Sequence, residues 1–206
     1  MITRREVLKR VGMMVGVAAG LQVYPRALAH AQARSQGLSA VGDALVSLTP
    51  AEAETLRAII ARLIPADENG PGALEARADR FIDRALGGAL KNLRSAYSAG
   101  LAAANASAQA SKGAAFAKLS PADQDAVLTA MQQESPQFFN LLRTHTIQGT
   151  FSDPFYGGNE NFIGWDLIGY PGARIAVSPS LQRMDVKPEP SRKSAYDYGM
   201  FNKGEI

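Results

Sequence analysis

The chain has 206 residues, is 46% apolar and contains no cysteine. That suits one domain with a real core and excludes disulfides, thiolate metal sites and thiol-attached haem. The formal charge of +3 is misleading, because Arg4, Arg5, Lys9, Arg10 and Arg26 face only Glu6 in residues 1–33, leaving 17 basic and 18 acidic residues in 34–206 and no basic footprint for nucleic acid.

Residues 1–33 read as a signal peptide. A basic start precedes a short apolar run, 11–23, and small-residue cleavage sites follow around Ala29, Ala31 and Ala33. The run is too short and too rich in glycine for a membrane-spanning helix. Thr3-Arg4-Arg5-Glu6-Val7-Leu8-Lys9 resembles the twin-arginine export signal, with Val7 where that signal often has Phe. Export by that route takes folded cargo to the periplasm. An uncleaved leader that anchors the chain is a rival reading.

The body, 45–175, is predicted to be all-α. Thr49-Pro50, Ser120-Pro121 and Ser135-Pro136 each place a hydroxyl cap before proline at the first helical position. Thr49 with Glu52 also fits a capping box. The first helix runs to about Leu63, with Leu56, Ile59, Ile60 and Leu63 on one stripe. A turn-rich stretch, 65–72, leads to a helix over 74–86, broken by Gly87-Gly88. An alanine-rich helix starts near Leu90, with Leu93, Tyr97, Leu101 and Ala104 on one face. Helices over 121–133 and 136–149 follow, the latter carrying Phe138, Leu141, Leu142 and His145 together. The sum is a small bundle of about five helices. It is covered by a long loop rich in glycine and aromatics, and residues 176–206 form an extended C-terminal tail.

Chemistry is sparse. His145 is the one histidine left once the leader is removed, and alone it makes neither a zinc set nor a serine triad without a nucleophile turn. Asp79 and Asp83 read as a solvated helix face with Arg80 and Arg84, and Asp123 and Asp125 as first-turn acids that favour the helix dipole. No strand precedes a dinucleotide-type glycine pattern. No catalytic, cofactor-binding or metal residue is assigned. The rival is a self-sufficient ligand binder or enzyme using His145 and Asp153 beside the loop.

That loop, 151–172, holds five glycines, two prolines and six aromatics. His145-Thr146-Ile147-Gln148-Gly149, then Asp153-Pro154-Phe155-Tyr156-Gly157-Gly158-Asn159, then Gly164-Trp165-Asp166-Leu167-Ile168-Gly169-Tyr170-Pro171-Gly172 resembles the gluconate 2-dehydrogenase subunit 3 family. The Ile64-Pro65-Ala66-Asp67 and Pro71-Gly72-Ala73 segment is similar too, so the resemblance covers roughly residues 45–175. It implies a non-catalytic small (gamma) subunit of a membrane-associated, FAD-dependent sugar or sugar-acid dehydrogenase. FAD would sit in the large subunit and haem c in a multihaem cytochrome subunit. The small subunit would supply the export signal and act, chaperone-like, in maturing the flavoprotein.

Within the loop, Asp153-Pro154 and Gly157-Gly158-Asn159 specify tight turns. Two readings of the aromatics stand: a lid that completes the core, or a partner interface led by Trp165 and Tyr170. The candidate interface residues are Asp153, Pro154, Tyr156, Gly157, Gly158, Asn159, Trp165, Gly169, Tyr170 and Pro171. The tail is either a partner anchor through Tyr196, Tyr198 and Phe201 or a disordered terminus.

Overall fold

A computed structural model describes residues 44–183, 185 and 187–201. The expected leader, with Arg4 and Arg5, lies outside them. Among the described residues there are six α-helices, short 3-10 turns and no strand, as an all-α bundle requires.

Helix α1 (Pro50–Leu63) starts as its sequence dictates. The Thr49 hydroxyl accepts the Glu52 N–H at 3.3 Å and Glu52 accepts the Thr49 N–H at 2.8 Å. Its inner stripe of Leu56, Ile59 and Ile60 is fully buried, each side chain contributing about 1.5–3 kcal/mol by leaving water. Exposed ion pairs such as Lys118–Glu54 contribute far less.

Glu52 is a partial exception among the charges. Burial would raise its carboxyl, but the Arg94 guanidinium forks onto it at 3.0 and 2.6 Å and brings it down to about 2. A carboxyl lowered on folding stabilises above its unfolded value of about 4.5, and that support is lost as pH falls towards 2. Urea unfolding at pH 6 and pH 3 is expected to show an Arg94→Met penalty of about 1–2 kcal/mol, after discount for solvent screening, that shrinks at the lower pH.

Helix α2 (Ala78–Gly87) begins four residues later than predicted, because Arg77 takes φ 58° and ends a turn over 73–77. The solvated-face reading of Asp79 and Asp83 is also corrected. Asp83 is 5% exposed and accepts the backbone N–H groups of Val46, Ser47 and Leu48 at 2.7, 3.0 and 2.7 Å. Asp79 pairs with Arg57 and, at 3.7 Å, with Arg77. The acidic face of α2 is covered by the lead-in to α1, so its charges are spent inside the protein.

Helix α3 (Arg94–Lys112) buries Tyr97, Leu101, Ala104 and Ala108 and stops at Gly113. The residues before it, Lys91–Leu93, form a 3-10 turn instead of the predicted first helical turn. Asn105 ties this helix to its neighbours by donating to Thr55 Oγ1 at 2.7 Å and accepting the Phe116 N–H at 3.0 Å.

Helices α4 (Pro121–Glu134) and α5 (Pro136–Phe151) follow without a loop between them. Ser120 caps α4 through the Asp123 N–H at 3.2 Å. The predicted Ser135 cap is absent: Ser135 closes α4 through its own N–H to Met131 O at 2.9 Å and makes no side-chain cap bond to α5. One residue joins two helices there, and the first claims its geometry. Helix α5 packs closely on α2, where a Cβ at Gly149 would lie 2.8 Å from Ala78 Cα. That approach sets the end of α5 against the first residue of α2.

Candidate functional site: the loop beyond the last long helix

A helix end leaves its last carbonyls without partners. The loop after α5 supplies them. Ser152 N–H donates to Gln148 O at 2.8 Å, and Asn159 N–H to Gly149 O at 2.8 Å. The Trp165 indole N–H donates to Phe151 O at 2.9 Å, and the Asn159 amide to Ser152 O at 2.8 Å. The loop is thus a C-terminal cap for α5 built from a distance.

Two glycines make that approach possible. A Cβ at Gly158 would stand 2.0 Å from Gly149 O, and one at Gly164 would stand 1.8 Å from Thr150 O. Neither carbonyl belongs to a flexible side chain, so any larger residue displaces backbone. Asn159 is fully buried, and its Oδ1 accepts the Gly164 N–H at 2.7 Å and a longer one from Trp165 at 3.4 Å. The chain is then forced through positive φ at Asn159, Asn161 and Phe162, at 46°, 54° and 62°. Phenylalanine rarely adopts that region, so the cap compensates for local backbone strain. A short helix, α6 (Ile163–Ile168), follows inside what the sequence reads as irregular loop.

The loop therefore has two halves. In the inner half Gly158, Asn159 and Trp165 are buried. Trp165, expected as a first contact point, is 6% exposed and spends its N–H internally. In the outer half Phe155, Tyr156, Ile168 and Tyr170 are 44–59% exposed. Tyr170 stands edge-on to Trp165 at 4.9 Å, after a Gly169 turn at φ 68°. Asp153 caps its own turn, Pro154–Tyr156, by accepting the Phe155 N–H at 2.9 Å. The inner half packs as a lid on the end of α5, and the outer half keeps large apolar side chains exposed.

The tail, expected to be extended, does run without regular helix. It also folds back on the loop, a path its own composition does not signal. The Tyr196 ring stacks on Phe155 at 3.7 Å, and the Tyr196 and Tyr156 hydroxyls meet at 2.7 Å.

His145 and Asp153, the rival pair, have separate engagements. His145 Nδ1 and the Tyr97 hydroxyl share a 2.8 Å hydrogen bond within the bundle, and the two rings lie parallel. Burial lowers the His145 pKa and raises that of Tyr97. A histidine lowered on folding stabilises above its unfolded value of about 6.5, and that support is lost as pH falls below it. His145→Gln is therefore expected to flatten the acid limb of the stability–pH curve below about 6.5, read by urea unfolding across that range. Asp153, by contrast, faces the tail. Among the described residues no three His, Asp or Glu side chains gather as metal ligands. A cleft of about 370 Å³ between residues 44–48, α1 and α2 is lined by Arg57, Arg77, Arg80 and Arg84 with Asp79 and Asp83, and Arg77 reaches Glu160 of the loop at 3.8 Å.

Sequence reasoning missed Ser194, placed Asp83 on a solvated face, and named Tyr196 as a partner anchor without its contact to Phe155. A carboxylate three residues after Arg80 and one before Arg84 has the pattern of a surface charge cluster, and nothing local shows which backbone will reach it. No curated protein and no solved structure matches the chain. The family description gluconate 2-dehydrogenase subunit 3 matches residues 50–172, which run from the first residue of α1 to the last glycine of the loop. More than half of the sequence lies in that match, and the chain belongs to the gluconate 2-dehydrogenase subunit 3 family.

Proposed function

We propose that this accessory subunit of a gluconate 2-dehydrogenase-type complex is its non-catalytic, export-guiding member. In this reading the chain carries a folded FAD-dependent sugar or sugar-acid dehydrogenase subunit through the twin-arginine route. It then stays with that subunit in the periplasm, beside a multihaem cytochrome c subunit and the inner membrane. The observation that carries the reading is the family match over residues 50–172. Its physical support is the split loop: a backbone locked by Gly158, Asn159 and Gly164 holds Phe155, Tyr156, Ile168 and Tyr170 half exposed. Large rings on a rigid support lose little entropy on docking, which suits a protein partner.

The test is expression with and without the dehydrogenase subunit, followed by flavin and sugar-oxidation assays on the purified species. Flavin and activity are expected only in the pair. Flavin retained by the small chain alone, or activity without the large one, would refute the reading. Changing Arg4 and Arg5 together to Lys is expected to strand both subunits in the cytoplasm, read by fractionation of the paired strain.

A further inference from the structure

The outer half of the loop already holds a peptide, and that peptide is the chain's own tail. Ser194 donates its hydroxyl to Asp153 Oδ1 at 2.6 Å, and the Ala195 N–H donates to Oδ2 at 2.8 Å. Both carboxylate oxygens are thus used on adjacent residues of the tail, a charge-assisted grip. Tyr196 then lays its ring on Phe155 at 3.7 Å and 18° and sets its hydroxyl against that of Tyr156 at 2.7 Å. Flanking contacts extend the track. Ser191 N–H donates to Pro171 O at 2.7 Å, Arg192 pairs with Asp166 at 2.7 Å, and the Tyr198 hydroxyl donates to Ala173 O at 3.0 Å.

The two sides are built independently. Asp153 is oriented by its own turn through the Phe155 N–H, and Pro154 fixes that turn. The tail side is self-capped, with Ser194 N–H donating to Asp197 Oδ2 at 2.7 Å and Tyr196 N–H to Ser194 Oγ at 3.0 Å. Neither side needs the other to keep its shape. The acceptor side lies within residues 50–172, while the tail lies outside that match. Phe155 and Tyr156 remain about half exposed with the tail in place, so the tail rests on the surface and can leave without opening the core.

We propose that Asp153, Phe155 and Tyr156 form a peptide-binding site for a Ser-X-Tyr segment held in a serine-capped 3-10 turn, occupied here by residues 191–198 as a releasable strap. Recognition comes from the carboxylate reading a hydroxyl and the next N–H, and from the ring pair reading the aromatic two residues after the serine. The site stands whether or not the dehydrogenase partnership does, and no second subunit is needed to test it.

The full-length chain carrying Ser194→Ala with Tyr196→Ala keeps the site and removes the strap's grip. Titration of this variant with a synthetic peptide of residues 187–200, followed by calorimetry, is expected to give saturable one-to-one binding. Adding Asp153→Asn to the chain keeps a good turn cap and is expected to weaken that binding at least about tenfold. A peptide with Tyr196→Ala should not bind. In the otherwise unaltered chain, the Ala195 amide should exchange with solvent more slowly than in the free peptide, and Asp153→Asn should restore the free rate. Circular dichroism reports whether each variant retains its helices. An Ala195 amide as fast as in the free peptide, no saturable binding, or binding indifferent to Asp153→Asn overturns the proposal.

Discussion

Asn159→Ala is expected to destabilise the chain by about 3 kcal/mol, a fall of roughly 6–12 °C in the thermal midpoint for a protein of this size. The side chain is fully buried and makes two close bonds, from the Gly164 N–H at 2.7 Å and to Ser152 O at 2.8 Å. Truncation orphans a buried donor at Gly164 and a part-buried acceptor at Ser152, at about 1–3 kcal/mol for the first and less for the second. Alanine must also hold the left-handed backbone at φ 46°, which costs it roughly another 1 kcal/mol. Asn159→Gly separates the two terms, since glycine accepts that φ while losing the same bonds. The glycine variant should therefore unfold above the alanine variant and below the parent. Thermal melts followed by far-ultraviolet circular dichroism and by Trp165 fluorescence decide it. If the alanine variant melts with the parent, the buried amide is not what holds the loop.

The contrast with the outer half gives this result its functional use. Tyr156→Ala and Tyr170→Ala remove half-exposed rings and are expected to move stability by less than about 1 kcal/mol. Under the proposed function, they should instead reduce recovery of the paired dehydrogenase subunit. A substitution that lowers both stability and assembly belongs to the cap. One that lowers assembly alone marks the surface.

How much of this was legible in the sequence follows from the range over which each signal acts. Thr49-Pro50 and Ser120-Pro121 announce their helix starts because a cap is satisfied within three residues. The stripes of α1 and α3 are legible for the same reason, being set by a local period. Ser135 fails because two helices compete for one residue, and a one-helix rule does not contain that competition. Arg77 fails because its left-handed backbone belongs to a turn that no glycine or asparagine marks. In the loop, Gly157-Gly158-Asn159 correctly signals tight backbone. The sequence does not say that the backbone it must clear is the end of α5, nor that α6 lies inside. Trp165 and Tyr170 look alike as aromatic anchors, yet one indole N–H finds Phe151 O and turns inward while its neighbour stays out. The tail is least legible of all, since Tyr196 meets Phe155 across forty residues of chain and a Pro-rich connection.

Asp83 provides the second large effect, and its size depends on which of its three partners water can rescue. Val46 is 62% exposed, so its N–H can be rehydrated if the carboxylate is removed. Leu48 is 5% exposed and its N–H cannot. Asp83→Ala should thus cost about 1–3 kcal/mol for the Leu48 donor, and less for the other two. If the lead-in segment then lifts, Leu48 leaves the core and about 1.5–3 kcal/mol of its burial is lost as well. The expected total is about 3–4 kcal/mol. Asp83→Asn retains one oxygen, which can still take the Leu48 and Ser47 N–H groups that share Oδ1. It loses chiefly the Val46 bond and should cost only about 1 kcal/mol. Urea unfolding ranks the three proteins, and hydrogen exchange at the Leu48 amide reports the lead-in segment itself. That amide should exchange much faster in the alanine variant and remain protected in the asparagine variant. Equal, small effects from both would mean that Leu48 packing holds the segment and the carboxylate merely accompanies it. A large alanine effect with Leu48 still protected would place the cost in α2, not in the segment it grips.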